Sequence, residues 1–251
     1  LNSFQQKFIR KPNSFGYNRT SLKMIKRIFC FCFLLILLSP FPWGRVGDGL
    51  FAQTLNLNQF GIEEGLPQSS IYTMLQDKDG NIWVGTMSGV SKYNGLRFEN
   101  FNKKDGLAEN RVTSSCLDKD GNIWFGHWSG GISKYNAAAK KFEEVSPGKT
   151  EIKKTINCIF QDKSGTVWFG TEGQGVIKME GGNFTQITTK EGLANDIVTA
   201  FANQGPLLWI RTASGNTVSE SEKLRALAEV KLPSSSIRSL FPDSKGNMWI
   251  G

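Results

Sequence analysis

Few residues in this chain could do chemistry, and they fall into three groups. The first is acidic. "DKDGN" occupies 77–81 and again 118–122, with acids one and three ahead of a glycine, as a calcium loop would begin. A calcium loop starting at Asp77 requires Gly at its sixth position and Glu at its twelfth, but those positions hold Ile82 and Ser88. From Asp118 they hold Ile123 and Ser129, and Ser164 replaces the middle acid in a third version, "DKSGT". The reading is a tight turn, for which Asp and Gly supply the chemistry. The second group is the only histidine, His127, with Trp128 beside it. Two readings stay open: a ligand contact, since aromatic rings stack on sugar faces, or a surface variation at a tolerant strand position. One histidine without closely spaced cysteines and carboxylates does not build a zinc site. The third group is Cys116 and Cys158. A disulfide is conceivable in an oxidising compartment, but their places in the repeat described next differ by two residues, so two small buried thiols are expected. No nucleophile elbow, phosphate loop or metalloprotease motif occurs. The expectation is no catalytic residue, no metal and no cofactor.

What positions these residues is a repeat. Trp83, Trp124, Trp168, Trp209 and Trp249 follow one another at spacings of 41, 44, 41 and 40. Around them stand "GNIWVGT", "GNIWFGH", "GTVWFGT", "PLLWIRT" and "GNMWIG". Six before each Trp comes Asp77, Asp118, Asp162, Asn203 or Asp243. Counting six, four and two further back gives three columns: Ile71, Val112, Ile156, Ile197 and Ile237; then Thr73, Ser114, Cys158, Thr199 and Ser239; then Leu75, Cys116, Phe160, Phe201 and Phe241. Alternation at period two marks a strand with one buried face. The column of small residues marks a close approach of neighbouring backbones. Gly80, Gly121, Gly165 and Gly246 hold the turn position that needs a positive φ.

A third strand, opened by Gly89, Gly131 or Gly175, and a looser fourth ("RFENF", "KFEEV", "NFTQI") complete each copy. The linkers "EEGLPQSS", "KDGLAEN" and "KEGLAND" lead into copies one, two and four and should share one rim; "KTEIKKTI" replaces the motif before copy three. Four short antiparallel strands in about 42 residues are a propeller blade, which must stack on its neighbours to bury its faces. The fold class is therefore all-β, a β-propeller with the tryptophans packed between blades. The copies run about 62–101, 102–146, 147–187, 188–229 and 230–251. The last stops inside its second strand, so the reading is a propeller truncated at about four and a half blades, a piece of a longer protein. "LNLNQF", 55–60, reads as an outer strand without its blade.

The pattern Asp-x-x-Gly-x-Ile-Trp-φ-Gly-Thr, then Gly-φ-x-x-Tyr and an acidic-Gly-Leu linker, resembles the two-component regulator propeller repeats. The best matches are 77–86, 118–127 and 162–171. Copy four departs, with Pro206 in its turn and Arg211 where the others have Gly. The resemblance implies an extracytoplasmic sensor region, often of paired seven-bladed propellers, followed by a membrane span and a cytoplasmic histidine kinase. It also implies a membrane-anchored, dimeric full-length protein that responds to a small-molecule or oligosaccharide ligand. Phosphotransfer itself is not expected of these residues, because the sole histidine lies beside a strand tryptophan and there are no Gly-rich ATP boxes. The alternatives are a secreted or cell-surface scaffold or secretion-system component without a kinase and, third, a propeller lyase, which needs His, Arg and carboxylates clustered at the axis.

Charge fits an exported protein rather than a nucleic-acid binder. The net charge is +8. Residues 1–52 hold eight basic residues and one acid, leaving 22 basic and 21 acidic (30 less 8, 22 less 1) in 53–251. A near-neutral body leaves no footprint for DNA or RNA. Lys23, Lys26 and Arg27 flank Met24 ahead of "IFCFCFLLILL" at 28–38, which carries Cys30 and Cys32. That run is too short to span a bilayer, which takes roughly 20 residues. The expectation is a signal peptide over 24–52, cleaved after Ala52, with 1–23 unstructured and upstream of the true start.

Overall fold

A clasped hairpin is the unit of construction. β1 (Ile71–Gln76) pairs antiparallel with β2 (Ile82–Thr86) across a turn at 77–81. Asp77 Oδ1 accepts from the backbone N–H groups of Asp79 and Asn81 at 3.0 and 2.8 Å, and its Oδ2 accepts from the Trp83 indole at 2.7 Å. Gly80 has φ +86, a region that costs other residues strain. The clasp recurs from Trp124 to Asp118 at 3.0 Å, Trp168 to Asp162 at 2.8 Å and Trp249 to Asp243 at 3.1 Å. Gly121 and Gly165 take φ +91 and +94.

The computed structural model describes residues 58–148, 150–220, 223–226, 239–243, 245 and 247–251. The proposed leader, Ile237 and Gly246 lie outside them. Gln59–Gly251 forms one unit. In it, β3 (Gly89–Tyr93) and β4 (Phe98–Phe101) complete the first sheet. β5 (Val112–Leu117), β6 (Ile123–His127), β7 (Ile132–Asn136) and β8 (Lys141–Val145) make the second. The third holds β9 (Ile156–Gln161), β10 (Val167–Thr171), β11 (Val176–Glu180) and β12 (Asn183–Ile187). The fourth holds β13 (Val198–Gln204), β14 (Leu207–Thr212), β15 (Asn216–Glu220) and β16 (Lys223–Ala226). β17 (Leu240–Pro242) and β18 (Met248–Ile250) form a further hairpin. Each four-stranded sheet is a meander, and the first strands of successive sheets lie side by side. These are blades of a β-propeller. Residues 58–60 are not strand; Phe60 instead packs on Tyr93 and Phe98, with ring centroids 5.0 and 5.9 Å away. Residues 55–57 of the expected outer strand lie outside the described part.

Trp83, Trp124 and Trp168 are each buried by the blade that follows. Trp83 meets Tyr135 at 4.5 Å and Phe125 and Phe142 at 6.2 Å, and Trp124 meets Phe169 at 5.9 Å. Trp83, Trp124 and Trp168 are 1, 4 and 6% exposed, whereas Trp249 is 64% exposed. Burying one indole removes about 150–250 Å² from water, worth roughly 4–6 kcal/mol at ~25 cal/mol per Å² before ordering costs. A hydrogen bond to a carboxylate contributes about 1.5–3 kcal/mol. Apolar burial therefore dominates, and the clasp fixes where the indole points.

Two local features differ from simple alternation. The first strand of each four-stranded sheet carries a β-bulge at its second residue: pairing passes from Ile71 to Thr73, Val112 to Ser114, Ile156 to Cys158 and Val198 to Ala200. The bulged side chain reaches the next blade. Thr113 Oγ1 donates to the Ile156 carbonyl at 2.8 Å, and Asn157 Nδ2 to the Val198 carbonyl at 3.1 Å. The small residue beyond the bulge faces a glycine. A Cβ on Gly126 would stand 2.5 Å from Ser114 Oγ and 2.6 Å from Ile156 Cγ2 of the next blade, so backbones do close up at this column.

The second feature corrects the alignment of copy four. Gln204 pairs with Leu207 around a two-residue turn, Gly205–Pro206, where the other blades use five residues. In register with Trp209 this leaves the hairpin one residue short. The equivalents of Ile156, Cys158 and Phe160 are therefore Val198, Ala200 and Ala202, not Ile197, Thr199 and Phe201. Asn203 pairs with Leu208, as Gln161 pairs with Val167, so it is no counterpart of Asp162. Trp209 Nε1 is buried without an acceptor among the described residues.

Burial raises the Asp77 carboxyl, but the donors Trp83 and Asn81 outweigh it and leave the group below its ordinary 3.8. Asn247 and Trp249 hold Asp243 down to about 2. Depressed carboxylates stabilise fully above their unfolded value and lose that contribution as pH falls through the folded one, so the Asp77 and Asp243 clasps weaken below about pH 4. Replacing the buried Asp118 by Ala strands the Trp124 indole N–H. Denaturant unfolding should show a loss of about 2–3 kcal/mol, and a loss below 0.5 kcal/mol would contradict the role given to the clasp.

Candidate functional site

The linkers and the β2–β3 type turns meet at one end of the blades; the Asp turns lie at the other. Before blade two, Asn102 caps a short helical turn and reciprocates with Asp105, and Gly106 (φ +102) ends it. Thr188, Glu191 and Gly192 repeat this before blade four. The next residue, Leu107 or Leu193, plugs the core at 2 and 4% exposure. Ala108 N–H then donates to Ser133 Oγ at 2.9 Å, as Ala194 N–H does to Thr217 Oγ1 at 3.0 Å. Blade one has Pro67 there, which lacks an N–H, and Ser91 bonds Asn100 instead. The linker before copy three lacks this motif, and the matching position is apolar Ile177.

On this rim one cluster combines an aromatic surface with charged groups. Trp128 is 45% exposed. Its N–H donates to the Arg111 carbonyl at 3.0 Å, and Thr155 Oγ1 donates to its carbonyl at 2.7 Å. The Arg111 guanidinium lies 5.9 Å from the Trp128 ring, donates through Nε to Glu109 at 2.6 Å and through Nη2 to Ser129 at 3.0 Å. Glu109 also accepts from Ser129 N–H at 2.8 Å. A clamped, half-exposed indole with donors and acceptors at its edge can hold a ring-shaped polar ligand.

His127 is not a surface residue. It is fully buried, with Nε2 2.8 Å from Ser133 Oγ and Nδ1 without a partner among the described residues. Thr86, Thr171 and Thr212 close the same turn by donating to Gly89, Gly175 and Gly215 at 3.0, 2.7 and 2.8 Å. Burial pushes the imidazole down to about 4, against a smaller opposing pull from Glu109. Cys116 and Cys158 are free. Burial pushes their thiols up to about 11 and about 12, so neither is a thiolate at neutral pH.

Among the sequence-selected positions, Trp83, Trp124, Trp168, Gly80, Gly121 and Gly165 sit in the clasps, away from this rim. Trp249 stands in the last hairpin and Trp209 in the unclasped one. Asp77 and Asp118, which would open a calcium loop, accept instead from N–H donors of their own turns and indoles. Sequence reasoning missed Glu109 and Arg111. The available signal was the difference between "ENR" at 109–111 and "NDI" at 195–197 after the same Gly-Leu-Ala. Arg211, 5% exposed, replaces the packing glycine of the other blades, and its Nε has no partner among the described residues.

The family described as two component regulator propeller matches residues 65–88, 106–129, 151–173 and 231–251, passing over copy four. No curated protein matches the sequence. Among solved structures, one described as the extracellular domain of a hybrid two component system from B. thetaiotaomicron is 28% identical, with TM-score 0.65, covering 75% of this chain and 26% of its own. The extracellular domain of a one component system from the same organism is 19% identical, TM-score 0.63, covering 76% and 30%. Virginiamycin B lyase from Staphylococcus aureus, 12% identical, TM-score 0.61, covering 74% and 64%, shares the fold. The chain thus spans about a quarter to a third of the first two. Among the described residues, no helix is long and apolar enough to cross a membrane.

The unfolded imidazole gains its proton near 6.5 and the folded one only near 4. Stability should therefore fall as pH drops through that window, by on the order of 3 kcal/mol at most. Thermal unfolding of His127→Thr, which restores the residue of the sibling blades, should be flat between pH 6.5 and 4; an unchanged profile would contradict the buried neutral state.

Proposed function

We propose, from the premise that the chain carries two component regulator propeller repeats, that it is the non-catalytic, ligand-sensing propeller of a two-component sensor, exported to the periplasmic or extracellular side of the membrane. The observation that carries this reading is the 28% identity to the extracellular domain of a hybrid two component system. In the whole protein, anchored and dimeric, the sensor would pass its signal to a kinase elsewhere. The ligand we assign is a small molecule, an oligosaccharide first of all. It is held on the linker rim, with a sugar face on Trp128 and hydroxyls on Glu109, Arg111 and Ser129. Supporting a binding role over catalysis, the thiols are protonated and the histidine is neutral and sealed away. Binding would bias the blades between two arrangements by its differential affinity for them.

Titration of the complete extracytoplasmic region with an oligosaccharide panel tests this. At least one sugar should raise the thermal midpoint saturably, with a ligand at 100 times its Kd adding about 2.7 kcal/mol. Trp128→Ala should weaken that sugar at least tenfold while leaving the unliganded midpoint nearly unchanged. A panel without any shift, or undiminished binding by the variant, would contradict the assignment.

A further inference from the structure

Each blade sets a row of three cross-strand neighbours against the indole of the blade before it, and the row shrinks along the chain. Blade two presents Ile123, Tyr135 and Phe142 to Trp83. Blade three presents Val167, Met179 and Phe184 to Trp124. Blade four has Leu208, Ser219 and Leu224 in the same register, facing Trp168. A serine thus stands where blade two places a tyrosine ring 4.5 Å from the preceding indole. The same blade has the shortened turn, Gly205–Pro206, tethered across the gap by Lys163 Nζ donating to the Gly205 carbonyl at 3.2 Å. The two changes coincide with a cavity of about 400 Å³ between blades three and four. This is the size of a small-molecule site. Trp168, Pro206, Leu208 and Leu224 supply its apolar lining, and Asn203 and Ser219 supply polar groups. It lies at the Asp-turn end, opposite the Trp128 rim.

We propose that this cavity is a second ligand site, and that its ligand is a neutral phenol-type ring seated against Trp168 as Tyr135 is seated against Trp83. The charged groups in the lining already have partners: Lys178 pairs with Glu180 at 2.8 Å, Asp162 accepts from Trp168 and its own turn, and Lys163 is held by Gly205. They offer a charged ligand no counter-ion. An open groove whose lining includes an indole, Pro206 and two leucines favours an aromatic occupant, and Ser219 or Asn203 can bond the hydroxyl a phenol carries.

The test titrates p-cresol, and separately glucose, into the full chain while following the indole N–H resonances. p-Cresol should shift one indole resonance saturably. Ser219→Tyr and Ser219→Met, which restore the side chains of blades two and three, should each weaken p-cresol at least tenfold and raise the midpoint of the unliganded protein. Absence of p-cresol binding, equal binding by the variants, failure of Ser219→Tyr to fold, or displacement of p-cresol by glucose would each overturn the proposal. None of these outcomes depends on the linker-rim reading.

Discussion

The hydrogen bond from a tryptophan indole to the aspartate six residues earlier is the constraint on which the other contacts depend. One carboxylate oxygen organises the turn through two backbone N–H groups, and the other receives the indole. Turn geometry and inter-blade packing are thereby set by a single side chain. An indole held in that direction projects from its own sheet to the position where the next blade's row of side chains arrives. Without the clasp, burial would still favour an apolar contact, but nothing would choose its angle.

Copy four shows what happens when the clasp is absent. Its turn has lost a residue and its aspartate, and Trp209 keeps a buried N–H without an acceptor. Arg211 occupies the packing position where other blades need glycine, and Ser219 stands in the row where blade two has Tyr135. Those departures cluster in the one blade that the family pattern passes over. Broken local rules often mark function, and here they coincide with a cavity.

The repeat, strand order and clasp positions were legible because tryptophan, glycine and aspartate recur at fixed spacing. The register of copy four was not, since counting back from Trp209 assumes a turn of constant length, and Gly205–Pro206 is shorter. The bulges were also hidden: Tyr72, Thr113, Asn157 and Thr199 share no side-chain type, and the bulge is a backbone event. For His127 the sequence offers a ligand contact or a surface variation, and the structure shows neither, because the residue is buried. Alternation places the two on opposite sides, and the buried side is the one that threonine fills elsewhere. Of the rim cluster, Trp128 stood out by type, whereas Glu109 and Arg111 gain meaning only when folding brings Ser129 to them.

The most direct measurement of the central claim is the amide and indole spectrum of the folded protein, followed by titration from pH 7 to 3. The account predicts downfield indole N–H resonances for Trp83, Trp124 and Trp168, with that of Trp83 moving as Asp77 protonates. Trp209 should lie upfield and stay still. Four indole signals of like position and like response to acid would contradict it.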